Sequence, residues 1–338
     1  MSAAAERLLE VRDLSVRFST PDGPLQAVDR LSFDLDRGET LGIVGESGSG
    51  KTVACLALLG LLPDGAEVSG SARLGDDDLL ALRGRALRRV RGRRVAMVFQ
   101  DPFSCLHPLL RVGDQLAEAV RAHERASRRE AHERAIEALA AVGVPSPRER
   151  ARDYPHQWSG GMRQRAMIAM ALLHRPDVLL ADEPTTALDV TVQAQILELF
   201  EQVKREFSIG IVLVTHDLGV VAEAAQRVLV LYAGRAAEQG TAEQVLGAPR
   251  HPYTWGLLGA LPREDGGGRL QAIEGAPPSL VGLPPGCAFA PRCAHRLDAC
   301  VERTPALDDA PDGHAAACHL PEGVRAAARA ARLPGALA

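Results

Sequence analysis

The sequence predicts an α/β fold with a mostly parallel central sheet, and three observations carry that expectation. Thr40–Val44, Val178–Ala181 and Ile211–Val214 are short apolar runs of the kind that form buried strands, the last two running into polar residues. Helix-patterned segments at Val53–Leu62, Val190–Glu206 and Leu218–Gln226 fill the intervals. Strands alternating with helices imply crossover connections and a parallel sheet.

Taken in order, Val11–Phe18 alternates apolar and polar residues as a half-buried strand does. Pro21-Asp22-Gly23-Pro24 is turn chemistry, Val28–Leu35 reads as a second strand, and Arg37-Gly38-Glu39 turns into Thr40–Val44. That strand enters Gly45-Glu46-Ser47-Gly48-Ser49-Gly50-Lys51-Thr52, a complete G-x-x-x-x-G-K-[ST] phosphate loop, and a helix-like run follows. Glycines let the backbone wrap phosphates, while successive N–H groups and a helix N-terminus face the anion. Lys51 is expected to reach the β- and γ-phosphates and the Thr52 hydroxyl to ligate Mg²⁺. Only Lys51 and Lys204 are lysines among 39 basic residues, so a lysine in this loop is no filler. The chain therefore binds a nucleoside triphosphate.

Arg94–Phe99 is a further short strand, ending at Gln100, and Val112–Val142 turns helical. Arg83–Arg94 holds seven arginines in twelve residues without interleaved aromatics, which suits a solvated or partner-facing surface better than a nucleic-acid groove. A net charge of −4 agrees that no nucleic acid is involved. At 338 residues the chain suits one large domain plus an appendage, and 46% hydrophobic with 24% charged residues is an ordinary globular balance. No signal peptide opens it, and its longest apolar runs fall short of a bilayer's thickness, so a cytosolic chain is expected, meeting a membrane only through a partner.

Two more places carry chemistry. Asp182-Glu183 ends the run Val178–Ala181, where a Mg²⁺ ligand is needed beside a phosphate loop; Asp182 is expected on the metal and Glu183 at an attacking water. The plain alternative is an acidic strand end facing solvent. Upstream, Trp158-Ser159-Gly160-Gly161-Met162-Arg163-Gln164-Arg165 precedes a helix-like run, so Ser-Gly-Gly offers a second anion cradle at a helix N-terminus.

The order of these motifs resembles the ATP-binding cassette (ABC) family, the nucleotide-binding subunits of ABC transporters. Val98-Phe99-Gln100-Asp101-Pro102 is similar to its Q-loop and Ser159–Arg165 to its signature. Leu180–Pro184 is similar to Walker B, Ala187-Leu188-Asp189 to the D-loop, and Thr215-His216-Asp217 to the switch-histidine loop. Phe18 falls where the family stacks an aromatic on adenine. Trp158 and Met162 depart from the usual Leu and Gln of the signature, while the phosphate-contacting Ser159, Gly160 and Gly161 are intact.

The resemblance implies a P-loop NTPase ABC nucleotide-binding domain over residues 7–260, with a RecA-like core, an antiparallel β subdomain and a helical subdomain at about 103–175. It implies ATP and Mg²⁺ as ligands, with the metal on Thr52, Gln100 and Asp182 and catalysis by Glu183, His216 and Lys51. ATP contacts fall to Phe18, Gly45, Ser47, Gly48, Gly50, Lys51, Thr52, Asp189 and, across a head-to-tail dimer, Ser159, Gly160 and Gly161. Gln100 couples to the membrane subunits. A soluble ABC ATPase acting on DNA or ribosomes is the reading from another class; the short interval between phosphate loop and signature, and the single cassette, speak against it.

Near Leu261 the character changes: Arg263–Gly268 reads as a linker, and 261–338 forms a small extension rich in proline and holding four of the six cysteines. Cys287, Cys293, Cys300 and Cys318 suggest a metal, since disulfides are unexpected in a cytosolic chain; either zinc or an iron–sulfur cluster suits four thiolates. Cys55 and Cys105 are isolated and read as packing residues. Val324–Ala338 reads as a frayed tail rather than a short helix. His251-Pro252-Tyr253-Thr254, Pro284-Pro285-Gly286-Cys287 and Phe289-Ala290-Pro291-Arg292-Cys293 resemble the oligopeptide/dipeptide importer ATPases, some of which carry a [4Fe–4S] cluster on matching cysteines. Zn²⁺, with His295, His314 and His319 nearby, is the alternative.

That branch implies a subunit powering import of oligopeptides or dipeptides at the cytoplasmic face of the cell membrane. Its partners are a second ATPase subunit, commonly a paralogue, two transmembrane permease subunits and an extracytoplasmic substrate-binding protein. Nickel or another small solute is the alternative cargo.

Overall fold

The computed structural model describes residues 6–101, 105–186, 188–261, 273–307 and 310–332. Pro102 of the Q-loop, Ala187 of the D-loop and the Arg263–Gly268 linker lie outside the described residues. In chain order the strands are β1 (Arg7–Thr20), β2 (Gly23–Asp36), β3 (Thr40–Val44), β4 (Glu67–Leu74), β5 (Asp77–Asp78), β6 (Val95–Val98), β7 (Val178–Asp182), β8 (Gly210–Thr215), β9 (Arg227–Tyr232), β10 (Arg235–Thr241) and β11 (Ala315–Ala316). The chain divides into two compact units.

One unit comprises the chain up to Leu9, Leu35–Glu39 and Ala81–Val214. Its β6, β7 and β8 are parallel neighbours, with Val98 opposite Ala181 and Asp182 opposite Val214. Every residue of these strands is buried, so each reads as a continuous apolar run rather than an alternating one. Gly210 is needed because a Cβ there would stand 2.7 Å from the Leu35 side chain. The expected continuous helical stretch is two helices, Val112–His123 and Arg128–Ala141. The break has a local cause: Ser127 accepts from the Glu130 N–H and Glu130 reaches back to the Ser127 N–H, a capping box that starts a new helix. The arginine run forms the helix Gly84–Val90, largely exposed, and its last member Arg94 pairs with Asp177 at 2.9 Å.

The other unit comprises Glu10–Asp34, Thr40–Leu80 and the chain from Thr215. Its first sheet has the order β2-β1-β4-β5 and supplies the antiparallel layer. Next, β3 runs parallel to β9, β9 pairs antiparallel with β10, and β10 antiparallel with β11. The β9–β10 hairpin turns at Ala233 (φ +47°) and Gly234 (φ +80°), both left-handed as a tight two-residue connection requires. The tail differs from expectation: Glu322–Arg332 is a helix, as its run of alanine and arginine permits.

Candidate functional site: a phosphate loop and a strand-end carboxylate pair

In the second unit, the fully buried β3 delivers the chain to Gly45. Gly45 adopts φ +155° and Gly50 φ +101°; a Cβ would stand 2.1 Å from the Leu231 carbonyl at the first and 2.4 Å from the Ala27 carbonyl at the second. Gly48, at φ +78°, has nothing within 4 Å of that position, so its glycine answers to the backbone alone. Gly50 caps the helix Lys51–Leu58 without offering a side chain, which leaves the first-turn N–H groups to an anion. The buried Lys51 arches over its own loop, Nζ donating to the carbonyls of Gly45 (2.7 Å) and Glu46 (2.9 Å). Thr52 follows, exposed, on the first turn. Ser47 is exposed at the loop's crest, and Phe18 is half-buried on β1.

The loop is pinned from outside as well. The Gly234 N–H donates to the Ser49 carbonyl at 2.9 Å, and the Glu46 N–H to the Tyr253 phenol oxygen at 2.8 Å. Arg292 grips the Glu46 carboxylate with both guanidinium nitrogens, at 2.6 and 3.0 Å. Hydrogen bonding to Glu46 pushes the Arg292 pKa above its ordinary value, and burial does the same to the Tyr253 phenol. Glu46, Tyr253 and Arg292 had no assigned role in the sequence; a carboxylate inside an anion-binding loop was the available signal.

In the first unit, Asp182 is buried at the end of β7. Glu183 follows in the left-handed region (φ +47°), sparsely populated for a side chain of this size, and its N–H donates to the Val214 carbonyl at 2.8 Å. Its Oε2 accepts from Gln100 Nε2 at 3.0 Å and from Thr186 Oγ1 at 2.9 Å. The structure thus brings two expected site residues, Gln100 and Glu183, into contact.

Ser159 caps the helix Gly160–Leu172, its Oγ accepting from the Met162 N–H. Gly160 is open around its Cα, and a Cβ on Gly161 would press to 3.0 Å against Val192. Trp158 is buried, its indole N–H without a hydrogen-bond partner among the described residues. Asp189 caps the helix Val190–Phe207 through Oδ1 and the Val192 N–H (3.0 Å). In the second unit the exposed His216 lies between β8 and the helix Leu218–Ala224, which Asp217 caps.

Cys287, Cys293, Cys300 and Cys318 line one cavity, beside His251, His295 and His319. Gly286 (φ +100°) turns the chain into it, and a Cβ there would meet the Cys300 carbonyl at 2.4 Å. Desolvation raises the thiol pKa values of Cys287, Cys293 and Cys318, that of Cys293 to about 11, and pushes His251 down to about 4. Among the described residues no group of three or more His, Cys, Asp or Glu converges on one metal-ion position. His314 does not face these thiols; its Nε2 meets the buried Glu238 at 2.6 Å. A zinc site drawing on it is therefore not what the fold builds, because its ring is already committed.

Comparison with known proteins agrees with this geometry. Residues 28–186 match the family described as ABC transporter, and residues 237–300 that described as oligopeptide/dipeptide transporter, C-terminal region. The oligopeptide transport ATP-binding protein OppD of Salmonella typhimurium is 51% identical over 318 residues, covering 94% of this chain and 95% of that one. The dipeptide transport ATP-binding protein DppD of Bacillus subtilis is 50% identical, covering 93% and 95%. Among solved structures, a dimeric post-hydrolysis state of the ATP-binding cassette MJ0796 bound to ADP and Pi superposes with a TM-score of 0.62 at 26% identity, over 70% of this chain and 99% of that one. The cbiO1 cassette from Clostridium perfringens gives 0.59 at 27%, over 72% and 92%.

Proposed function

Because the chain belongs to the ATP-binding subunits of ABC transporters, within the oligopeptide/dipeptide branch, we propose that it hydrolyses ATP to drive uptake of short peptides. The observation that carries the catalytic reading is Glu183, buttressed by Gln100 and Thr186 at the end of a buried strand in a protein with an intact phosphate loop.

Loop N–H groups and the Lys51 ammonium hold the β- and γ-phosphates, and Phe18 stacks on adenine. Glu183 orients and polarises the attacking water, and His216 contacts the γ-phosphate and the same water. Thr52, Gln100 and Asp182 offer the hard oxygen donors that suit Mg²⁺, which when bound neutralises charge on the β- and γ-oxygens. Ser159, Gly160 and Gly161 present a helix N-terminus to ATP held by a second subunit, so one chain's signature completes the other's site, with Asp189 at that junction.

ABC cassettes of importers work as dimers with transmembrane permeases. No helix among the described residues is long and apolar enough to cross a membrane; in this proposal a permease pair supplies the pathway. A paralogous second ATPase, an extracytoplasmic binding protein and a place at the cytoplasmic face of the membrane complete the proposal.

The four cysteines are proposed to hold a [4Fe–4S] cluster. Four thiols around one cavity support it, since each iron of such a cluster takes its own thiolate and need not share a single ion's position.

The test is uptake. Cells carrying Glu183→Gln should lose uptake of labelled di- and oligopeptides while making normal amounts of the protein. Loss of nickel uptake with peptide uptake intact would overturn the cargo.

A further inference from the structure

The tail motifs His251–Thr254 and Phe289–Cys293 converge on one residue of the phosphate loop. Every polar group of Glu46 is engaged. Its N–H donates to Tyr253, its carbonyl accepts from Lys51 Nζ and the Ser49 N–H, and its carboxylate takes the two-pronged grip of Arg292. Arg292 is itself braced: its side chain is only 5% exposed, Nε donates to the Glu274 carbonyl at 3.0 Å, and the guanidinium lies 5.9 Å from the Tyr232 ring centre. Behind it Tyr232, Tyr253 and Phe289 form an aromatic cluster, with ring centres 4.5, 5.3 and 5.5 Å apart.

We propose that Arg292 is a positioning residue for ATP binding: through Glu46 it holds the phosphate loop in its anion-binding shape. The physical need is specific. Gly45, Gly48 and Gly50 all sit at positive φ, and glycines lose more conformational freedom on ordering than other residues. A ligand that must order its own loop binds more weakly by the fraction of time the loop is already correct. A bidentate, largely buried guanidinium–carboxylate pair imposes one geometry, and the extension carries that pair's cation. The pair also neutralises a carboxylate that would otherwise face phosphate. This inference rests on the reading of Gly45–Thr52 as the ATP loop.

The experiment measures mant-ATP affinity of the full chain for Glu46→Gln, Arg292→Gln and the double variant, with thermal unfolding in the absence of nucleotide. Positioning predicts that each single variant weakens binding by about tenfold and that the double is no worse than either single, because both remove one interaction. Glu46→Gln is the discriminating variant, since simple charge removal would tighten phosphate binding. It also keeps the test open if Arg292→Gln folds poorly. Affinities within threefold of the unaltered chain, a tightened Glu46→Gln, additive losses, or a lowered unfolding temperature with unchanged affinity would each overturn the proposal. Failure of the unaltered chain to bind mant-ATP would instead sink the ATP-loop reading itself.

Discussion

Gln100 donates its side-chain N–H to Glu183 Oε2 at 3.0 Å, and Thr186 donates to the same oxygen at 2.9 Å. Two donors on one oxygen fix the carboxylate's plane. Glu183→Gln should therefore reduce phosphate release by at least about 100-fold, the range of a lost general base, while mant-ATP still binds. Gln100→Ala should cost less, since it removes one donor to Glu183 and one proposed Mg²⁺ donor but leaves the base itself. Equal losses for the two variants would show that the base cannot act without Gln100.

The three loop glycines should separate by cause. Gly45→Ala and Gly50→Ala drive a Cβ to 2.1 and 2.4 Å from backbone carbonyls and should abolish nucleotide binding and lower the unfolding temperature. Gly48→Ala meets no atom within 4 Å and carries only the strain of φ +78°, expected to be on the order of 1 kcal/mol. Nucleotide titration with melting curves reads both.

Ser159 caps its helix through the Met162 N–H. Ser159→Ala should lower stability by about 1 kcal/mol, as lost caps do. On the proposal that its phosphate contact is to a second subunit's ATP, mant-ATP affinity of the isolated chain should hold while cooperative hydrolysis falls. A proportional loss of both would place the signature on the chain's own nucleotide.

Protein purified without oxygen should absorb near ~400 nm and carry about four irons and four sulfides per chain, as a thiolate-bound cluster does. Substituting Cys287, Cys293, Cys300 or Cys318 by serine should bleach it, whereas Cys55→Ser should not, because Cys55 is packed in the helix Lys51–Leu58. A colourless protein with one zinc, or with no metal, would remove the cluster.

How much of this was legible depends on range. Thr40–Val44 is β3 at the expected limits, because a short buried run built on Leu41, Ile43 and Val44 ahead of a glycine loop is a local signal. Val190–Glu206 likewise ends one residue from the observed helix. Other elements escaped: β4 interrupts its alternation with Gly70 at φ +100°, where a Cβ would stand 2.6 Å from the Arg12 and Asp13 carbonyls, and the β9–β10 hairpin turns on Ala233, an unusual residue for a left-handed position. The tail helix is hard to read from sequence because its face opposite Arg325 and Arg329 is mostly alanine, which favours helix by propensity but does not mark a buried stripe.

The sequence by itself determined the motifs: the complete phosphate-loop pattern at Gly45–Thr52, the carboxylates that end an apolar strand, and the order in which the motifs come. Those signals are local, since each needs only a fixed spacing along one turn, strand or helix. Only the tertiary structure decided what holds the cradle in shape. Glu46 and Arg292 lie 246 residues apart, and no periodicity couples positions so distant; the pair exists because β3 and the aromatic cluster of Tyr232, Tyr253 and Phe289 are packed within one unit. The same holds for the four cysteines, whose spacing left their geometry open until the chain turned at Gly286 and brought them around one cavity.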